Sequence, residues 1–317
     1  MPLTLEQYAE YLETRKDLAW PAPPEIKPAK ARPHLERLSQ VRAVTWSVYG
    51  TLLAISDADL LFEHPQKFIM DLALEKTIQE FKMWQAMTRK PGQPAEYLRT
   101  IYDRVLSELR FQPSAGEKYP EVLAEKLWES ILKKLLQNEY TFDAGFFGSL
   151  NDFSRKVAFY FHASLQGTTC YPGAAEALVQ VKNAGLTQGL LADGQCFTPV
   201  QLNRGLKEQT ASASLAELMA PPLRALSCDV RARKPSERLF REMLNRLREA
   251  GVSPDQALHV GNSLERDVAP ARKLGMKTAL FAGDKHSLQG KAEQLKEPKT
   301  RPDVLLTELQ QIAEVVA

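Results

Sequence analysis

The sequence has little of what marks most specialised chains. Only three cysteines occur in 317 residues, Cys170, Cys196 and Cys228. Their odd number and wide spacing exclude a disulfide framework and lead one to expect buried free thiols in a reducing compartment. Cys196 has no histidine beside it in sequence to activate it. No apolar run approaches the ~18 residues of a membrane span, and Met1-Pro2-Leu3-Thr4-Leu5-Glu6 lacks a basic segment followed by an apolar one. A soluble, cytoplasmic protein without a membrane partner is expected. Neither sign of charge dominates, since 41 Lys and Arg against 39 Asp and Glu leave +2. There is thus no global field to recruit a nucleic acid. Internal repeats are absent, and the only compositional bias is the Ala/Ser stretch Thr210 to Leu215.

What is present is a 44% apolar chain able to bury a sizeable core, with a length that allows one to three domains. Thr4-Leu5-Glu6-Gln7 has a capping-box pattern and is followed by Tyr8, Tyr11 and Leu12 at helical spacing. Trp20-Pro21-Ala22-Pro23-Pro24 then stops the helix and stiffens a linker. Residues 1–40 thus form an extension, expected to pack on its own domain rather than to dock a partner. From 57 to 165 the pattern is helical, with stretches near 64–90, 95–110, 117–138 and 143–164. Leu123, Leu127, Trp128, Ile131, Leu132 and Leu135 recur at three- and four-residue steps. The aromatics of this region (Phe81, Trp84, Phe146, Phe147, Phe159, Phe161) read as its core rather than as a cofactor box.

Elsewhere, strands alternate with helices. Val41, Val44, Trp46 and Val48 form a strand broken by Gly50 and Thr51. A helix follows Tyr171-Pro172-Gly173 and ends at Asn183-Ala184-Gly185, and Gly189 to Ala192 is a short buried strand. Leu226–Val230, Ala257–Gly261 and Lys277–Phe281 read as further strands. Pro235–Ala250, Ala269–Leu274 and Val304–Val316 read as helices. Such alternation predicts an α/β fold with a doubly wound parallel sheet, formed by 41–56 and 166–317, into which the helical segment 57–165 is inserted. Ligands of such sheets bind at the carboxyl ends of the strands.

Four short motifs, in order, carry a resemblance to the haloacid dehalogenase (HAD-like) superfamily of hydrolases. These are Ser47-Val48-Tyr49-Gly50-Thr51-Leu52, Ala192-Asp193-Gly194, Lys234-Pro235, and Gly261-Asn262-Ser263 leading to Asp267. The resemblance implies a Rossmann-like core with a helical cap, and a site assembled from Ser47, Tyr49, Ala192 and Lys234. It implies substrate or anion contacts at Gly50, Thr51, Asp193, Lys234 and Ser263, and a Mg2+ site at Asn262 and Asp267 if the protein is active.

The motifs depart from the family where the chemistry is done. The family's nucleophilic Asp is Ser47, its Ser or Thr after the second strand is Ala192, and one metal-binding Asp is Asn262. A carboxylate nucleophile is ionised at neutral pH, whereas a serine needs a base. Mg2+ prefers anionic oxygens, and Asp267 is the only matching one, so no resident cofactor is expected. Lys234 either binds an anion with backbone N–H groups of the Gly50-Thr51 turn or pairs with Asp267. Asp193 reads as a cap or turn residue, Ser263 as a helix cap, His259 as a core histidine, and Arg231, Arg233 and Lys234 as a solvated basic face. The expectation is a pseudoenzyme that binds a small anionic metabolite or a protein partner. The alternatives are an active phosphatase or haloacid-type hydrolase, and an interaction scaffold built on the extension and insertion.

Overall fold

A computed structural model describes residues 1–87, 92–111, 116–219 and 223–316. In chain order its elements are α1 (Leu5–Thr14), β1 (Ala43–Trp46), β2 (Leu53–Ala54), α2 (Lys67–Glu80), α3 (Pro94–Arg110), α4 (Ala124–Leu136), α5 (Ala144–Phe147), α6 (Leu150–Leu165) and β3 (Thr169–Cys170). There follow α7 (Ala174–Asn183), β4 (Thr187–Ala192), α8 (Thr198–Gln209), α9 (Leu215–Leu218), β5 (Arg224–Leu226), α10 (Ser227–Val230) and α11 (Glu237–Glu249). The chain ends with β6 (Ala257–Gly261), α12 (Ala269–Lys273), β7 (Lys277–Phe281), β8 (Val304–Leu306) and α13 (Ile312–Val316).

Six strands form one parallel sheet in the order β5-β4-β1-β6-β7-β8, with β1 at Ala43 in register with Thr187 of β4 and Ala257 of β6. The strands are short and buried on both faces, as a parallel sheet covered by helices requires. Alternation along β1 sends Val44 and Trp46 into a cluster that includes Leu178, Leu309 and Ile312, while Ala43 joins Phe240, Met243 and Ala271 beneath α11 and α12. The doubly wound sheet expected from the sequence is the one observed.

Two predicted elements are of another kind. Leu226–Val230 is a strand only up to Leu226, after which Ser227 opens α10. Val304–Val316 is not one helix: Val304–Leu306 is the edge strand β8, and only Ile312–Val316 is α-helical. In the insertion the 117–138 stretch is helical from Ala124, and 143–164 is cut at Gly148, whose φ of 87° suits glycine. The 64–90 stretch holds α2 and a 3₁₀ segment, Met83–Met87, and its end lies outside the described residues.

Between β2 and β3 the helices close on their own apolar cluster, including Leu98, Tyr102, Trp128, Ile131, Phe153 and Phe161. Phe81, Phe159 and Phe161 are buried there as expected, whereas Trp84 is 43% exposed. Helix α1, closed by the Thr4/Gln7 capping box, adds Tyr8, Ala9 and Leu12 to this cluster. Burial of a leucine side chain is worth roughly 1.5–3 kcal/mol, enough to seat α1 on the chain itself.

The segment after α1 has no helix or strand and crosses from the insertion to the sheet edge. Trp20 packs edge-on against Tyr160 at 5.3 Å. A Cβ on Gly167 would lie 2.4 Å from the Ala22 carbonyl oxygen. Lys27 N–H donates to Asp284, and its carbonyl accepts from Lys285. His34 pairs antiparallel with Leu305 of β8 in a single bridge, which covers that edge of the sheet at one point.

His162 of α6 lies fully buried among Phe62, Phe161 and Phe197, at ring distances of 5.0–5.3 Å, and neither ring nitrogen has a hydrogen-bond partner among the described residues. Burial pushes its pKa down from 6.5 to about 3. Below about pH 6.5 the unfolded chain therefore takes up a proton that the native chain refuses. Native stability is at its full value above that pH and falls as pH drops toward 3. Between pH 6.5 and 5, His162→Leu should lose about 1.6 kcal/mol less stability than the parent chain. Urea unfolding at the two pH values checks this, and equal losses would refute it.

Candidate functional site

The carboxyl ends of β1, β4 and β6 and the loop before α11 meet at a cavity of about 20 Å³. Its lining includes Ser47, Tyr49, Asp193, Lys234, Asn262, Ser263 and Asp267. The structure thus brings together seven of the ten residues singled out in the sequence. Ala192 ends β4 just behind Asp193, and Gly50 and Thr51 form the turn beneath Asn262.

At its floor Lys234 and Asp267 form an ion pair whose side chains are 2% and 3% exposed. The Lys234 ammonium also donates to Ser47 Oγ at 3.0 Å. The Asp267 carboxylate accepts from Ser263 N–H at 3.0 Å and lies 3.1 Å from His259 Nε2. His259 Nδ1 lies 3.0 Å from the Thr45 hydroxyl, so a neutral ring that donates at Nε2 and accepts at Nδ1 satisfies both contacts. Burial, and then the charge of Lys234, hold the His259 pKa below its ordinary value. Burial alone would raise the Asp267 carboxyl, but Lys234 and His259 hold it well below the usual carboxylate range.

The groups expected to contact an anion are committed elsewhere. Gly50 N–H donates to Leu53 O and Thr51 N–H to Val48 O, so the turn offers no free cradle. A Cβ on Gly50, whose φ is 78°, would lie 2.5 Å from Ala58 Cβ and from the Asn262 amide, so the loop above is pressed onto the turn. Ser263 Oγ accepts from Arg266 N–H, the cap role expected of it. Asp193 is neither cap nor turn residue: it accepts Lys234 N–H at 2.8 Å and Arg266 Nη2 at 2.5 Å. The basic triplet is not a solvated face either, since Lys234 is buried and Arg233 is ion-paired.

Four residues that the sequence reading did not assign to the site complete it. Asp59, in the loop after β2, lies between Arg233 at 2.9 Å and Arg266 at 3.6 Å. Asp57 and Ala58, which lead into it, both have φ of 56°. Glu121, from the insertion, is buried 3.8 Å from Arg233 and accepts from the Ser227 hydroxyl, and burial pushes its pKa up to about 7 against the pull of Arg233. Arg266 sits inside the Asn262-to-Asp267 motif, a signal available in the sequence. Asp59 and Glu121 carry no local pattern. Tyr49 donates to Gln201 Oε1 at 2.6 Å and stays neutral, because burial pushes its pKa up.

These residues do not fit Mg2+. Asp267 is the only carboxylate at the family's ligand positions, and its oxygens are taken by an ammonium, an imidazole and an amide N–H. Asn262 spends its oxygen on the Thr51 hydroxyl and its nitrogen on Ser287 O. Among the described residues, no three His, Cys, Asp or Glu side chains form a group able to hold a metal. The cysteines are no better placed as nucleophiles, since burial pushes all three thiols up, Cys170 to about 12.

Residues 231–312 match a family model described as HAD-hydrolase-like. Over 145 residues the chain is 28% identical to a glyceraldehyde 3-phosphate phosphatase of Pyrococcus furiosus, covering 46% of this chain and 53% of that one. The chain thus spans about half the length of the curated relative it matches. Its fold is similar to that of a 2-haloacid dehalogenase from Pseudomonas syringae, with a TM-score of 0.50, 21% identity, and coverage of 86% of this chain and 97% of the other. Over residues 231–312 the chain is thus similar to HAD-like hydrolases, and its fold is that of a haloacid dehalogenase. Among the described residues, no helix is long and apolar enough to cross a membrane.

Removing Lys234 strands a buried carboxylate, which costs about 3–5 kcal/mol. Lys234→Met should therefore be strongly destabilised, and Lys234→Met with Asp267→Asn should recover much of the loss. Denaturant melts of both variants check this. An equally unstable double variant would mean that the pair matters for reasons other than its charge.

Proposed function

We propose that this chain is a HAD-like pseudoenzyme that acts through a partner or ligand rather than by hydrolysis. One observation carries the reading: the Lys234 ammonium is bonded to both Ser47 and Asp267, in the place where the family works with a carboxylate nucleophile and a metal. An ammonium held by an unprotonated acid is a donor, so Lys234 does not serve as a base for Ser47. The space above the pair, about 20 Å³, suits a water or so and not a phosphoryl group.

The charges weigh against an anionic metabolite as the ligand of this cleft. Lys234, Arg233 and Arg266 face four carboxylates, Asp59, Asp193, Asp267 and Glu121, so no cation there is left unpaired. An anion there would compete with Asp59 for Arg233 and Arg266. A protein partner is the occupant this reading favours, bound at a surface outside the cleft. The Pyrococcus relative favours the competing reading of an active phosphomonoester hydrolase, and the donor set of this chain weighs against it.

The purified chain should hydrolyse p-nitrophenyl phosphate and 2-chloropropionate at no more than background rates, with or without Mg2+. Loss of a covalent nucleophile alone removes about three or more decades of rate. Mg2+ with vanadate should leave the melting temperature unchanged. Robust Mg2+-dependent turnover that disappears in Ser47→Ala would overturn the proposal.

A further inference from the structure

A second groove, of about 180 Å³, runs along α8 where the crossing segment, the end of α6 and β2 meet, and it shares no lining residue with the cavity over Ser47. Trp20, Leu53 and Ala163 give it an apolar wall. Its polar wall is α8, through Gln201, Arg204 and Glu208. A cavity of ~150 Å³ admits a benzene-sized molecule, so the groove has room for a small metabolite.

The polar groups are incompletely used, and in a complementary way. Gln201 is 5% exposed; its oxygen accepts from Tyr49, while its amide nitrogen has no partner among the described residues. Arg204 and Glu208 stand one turn apart on the same helix face, yet they do not pair. Arg204 instead turns its Nε to Glu13 of α1 at 2.5 Å, and its two terminal amino groups bond to no described residue. Glu208 has neither hydrogen bond nor ion pair among the described residues. Two donors therefore await one acceptor, and a carboxylate one turn away awaits a cation.

We infer that this groove binds a free α-amino acid with an apolar side chain. The amino acid's carboxylate meets Arg204 and Gln201, its ammonium meets Glu208, and its side chain lies against Trp20 and Leu53. A zwitterion carries both charges on one carbon, which matches an acid and a base one helical turn apart. The inference is independent of whether the cleft at Ser47 turns anything over. Through Gln201 the bound molecule would touch the Tyr49 hydroxyl that lines that cleft.

The test is a thermal shift on the full chain with L-leucine, L-methionine and L-phenylalanine at 10 mM, beside 4-methylpentanoate and 3-methylbutylamine, which each lack one charge. At least one amino acid should raise the melting temperature by about 1–3 °C, and the two single-charge analogues should not. Glu208→Gln, at an exposed position, should keep the ligand-free melting temperature and lose the shift. No shift with any of the three amino acids would overturn the inference. So would an equal shift with the amine or acid alone, or a shift that survives in Glu208→Gln.

Discussion

A lysine and an aspartate sharing a proton-rich, water-poor pocket set the terms for everything around them. Desolvating two ions costs several kcal/mol each, and their attraction offsets this only when the remaining donors and acceptors are also met. Lys234 and Asp267 meet that condition through Ser47, His259 and the Ser263 amide, which come from β1, β6 and the turn after β6. The pair therefore fixes the spacing of two adjacent strand ends. The chain of Asp193, Arg266, Asp59 and Arg233 then repeats the same solution one layer further out.

The same scaffold can serve other chemistry because its topology delivers loops to one rim, and the side chains on those loops decide what happens there. Here the Gly50 and Thr51 amides, the Lys234 ammonium and the Ser263 hydroxyl all meet protein groups. Turn amides bond to neighbouring carbonyls, Asn262 is fixed by Thr51 and Ser287, and the loop through Ala58 is pressed onto Gly50. Ser47 is one of several coordinated differences, and restoring it alone would leave the others in place.

The sheet was legible because buried parallel strands such as Leu190–Ala192 and Leu258–Val260 are short apolar runs with glycine beside them. The convergence of Ser47, Lys234 and Asp267 was legible from motif order. The edge strand β8 was not, since three apolar residues ahead of a helical pattern read as its first turn; pairing with β7 and His34 decides otherwise. Helix α8 has a sparse apolar face, Val200, Leu202 and Leu206, amid polar residues, and only packing on β3 and α1 reveals it. Asp59 and Glu121 were hidden for another reason. Each pairs with Arg233, more than a hundred residues away in sequence, and an ion pair over such a separation leaves no periodic trace.

The segment joining α1 to β1 has a mechanical consequence. An insertion hung on two linkers, here near residues 55–61 and 165–168, has an axis about which it can swing. Packed on Tyr160 of the insertion through Trp20, and held to Asp284, Leu305 and Val315 at the other end, residues 20–38 add a third connection. A swing of the insertion away from the sheet would have to break the Trp20–Tyr160 contact or pull the segment off the sheet edge. The two halves of this molecule are thereby laced together by a strap as well as by the linkers of the insertion.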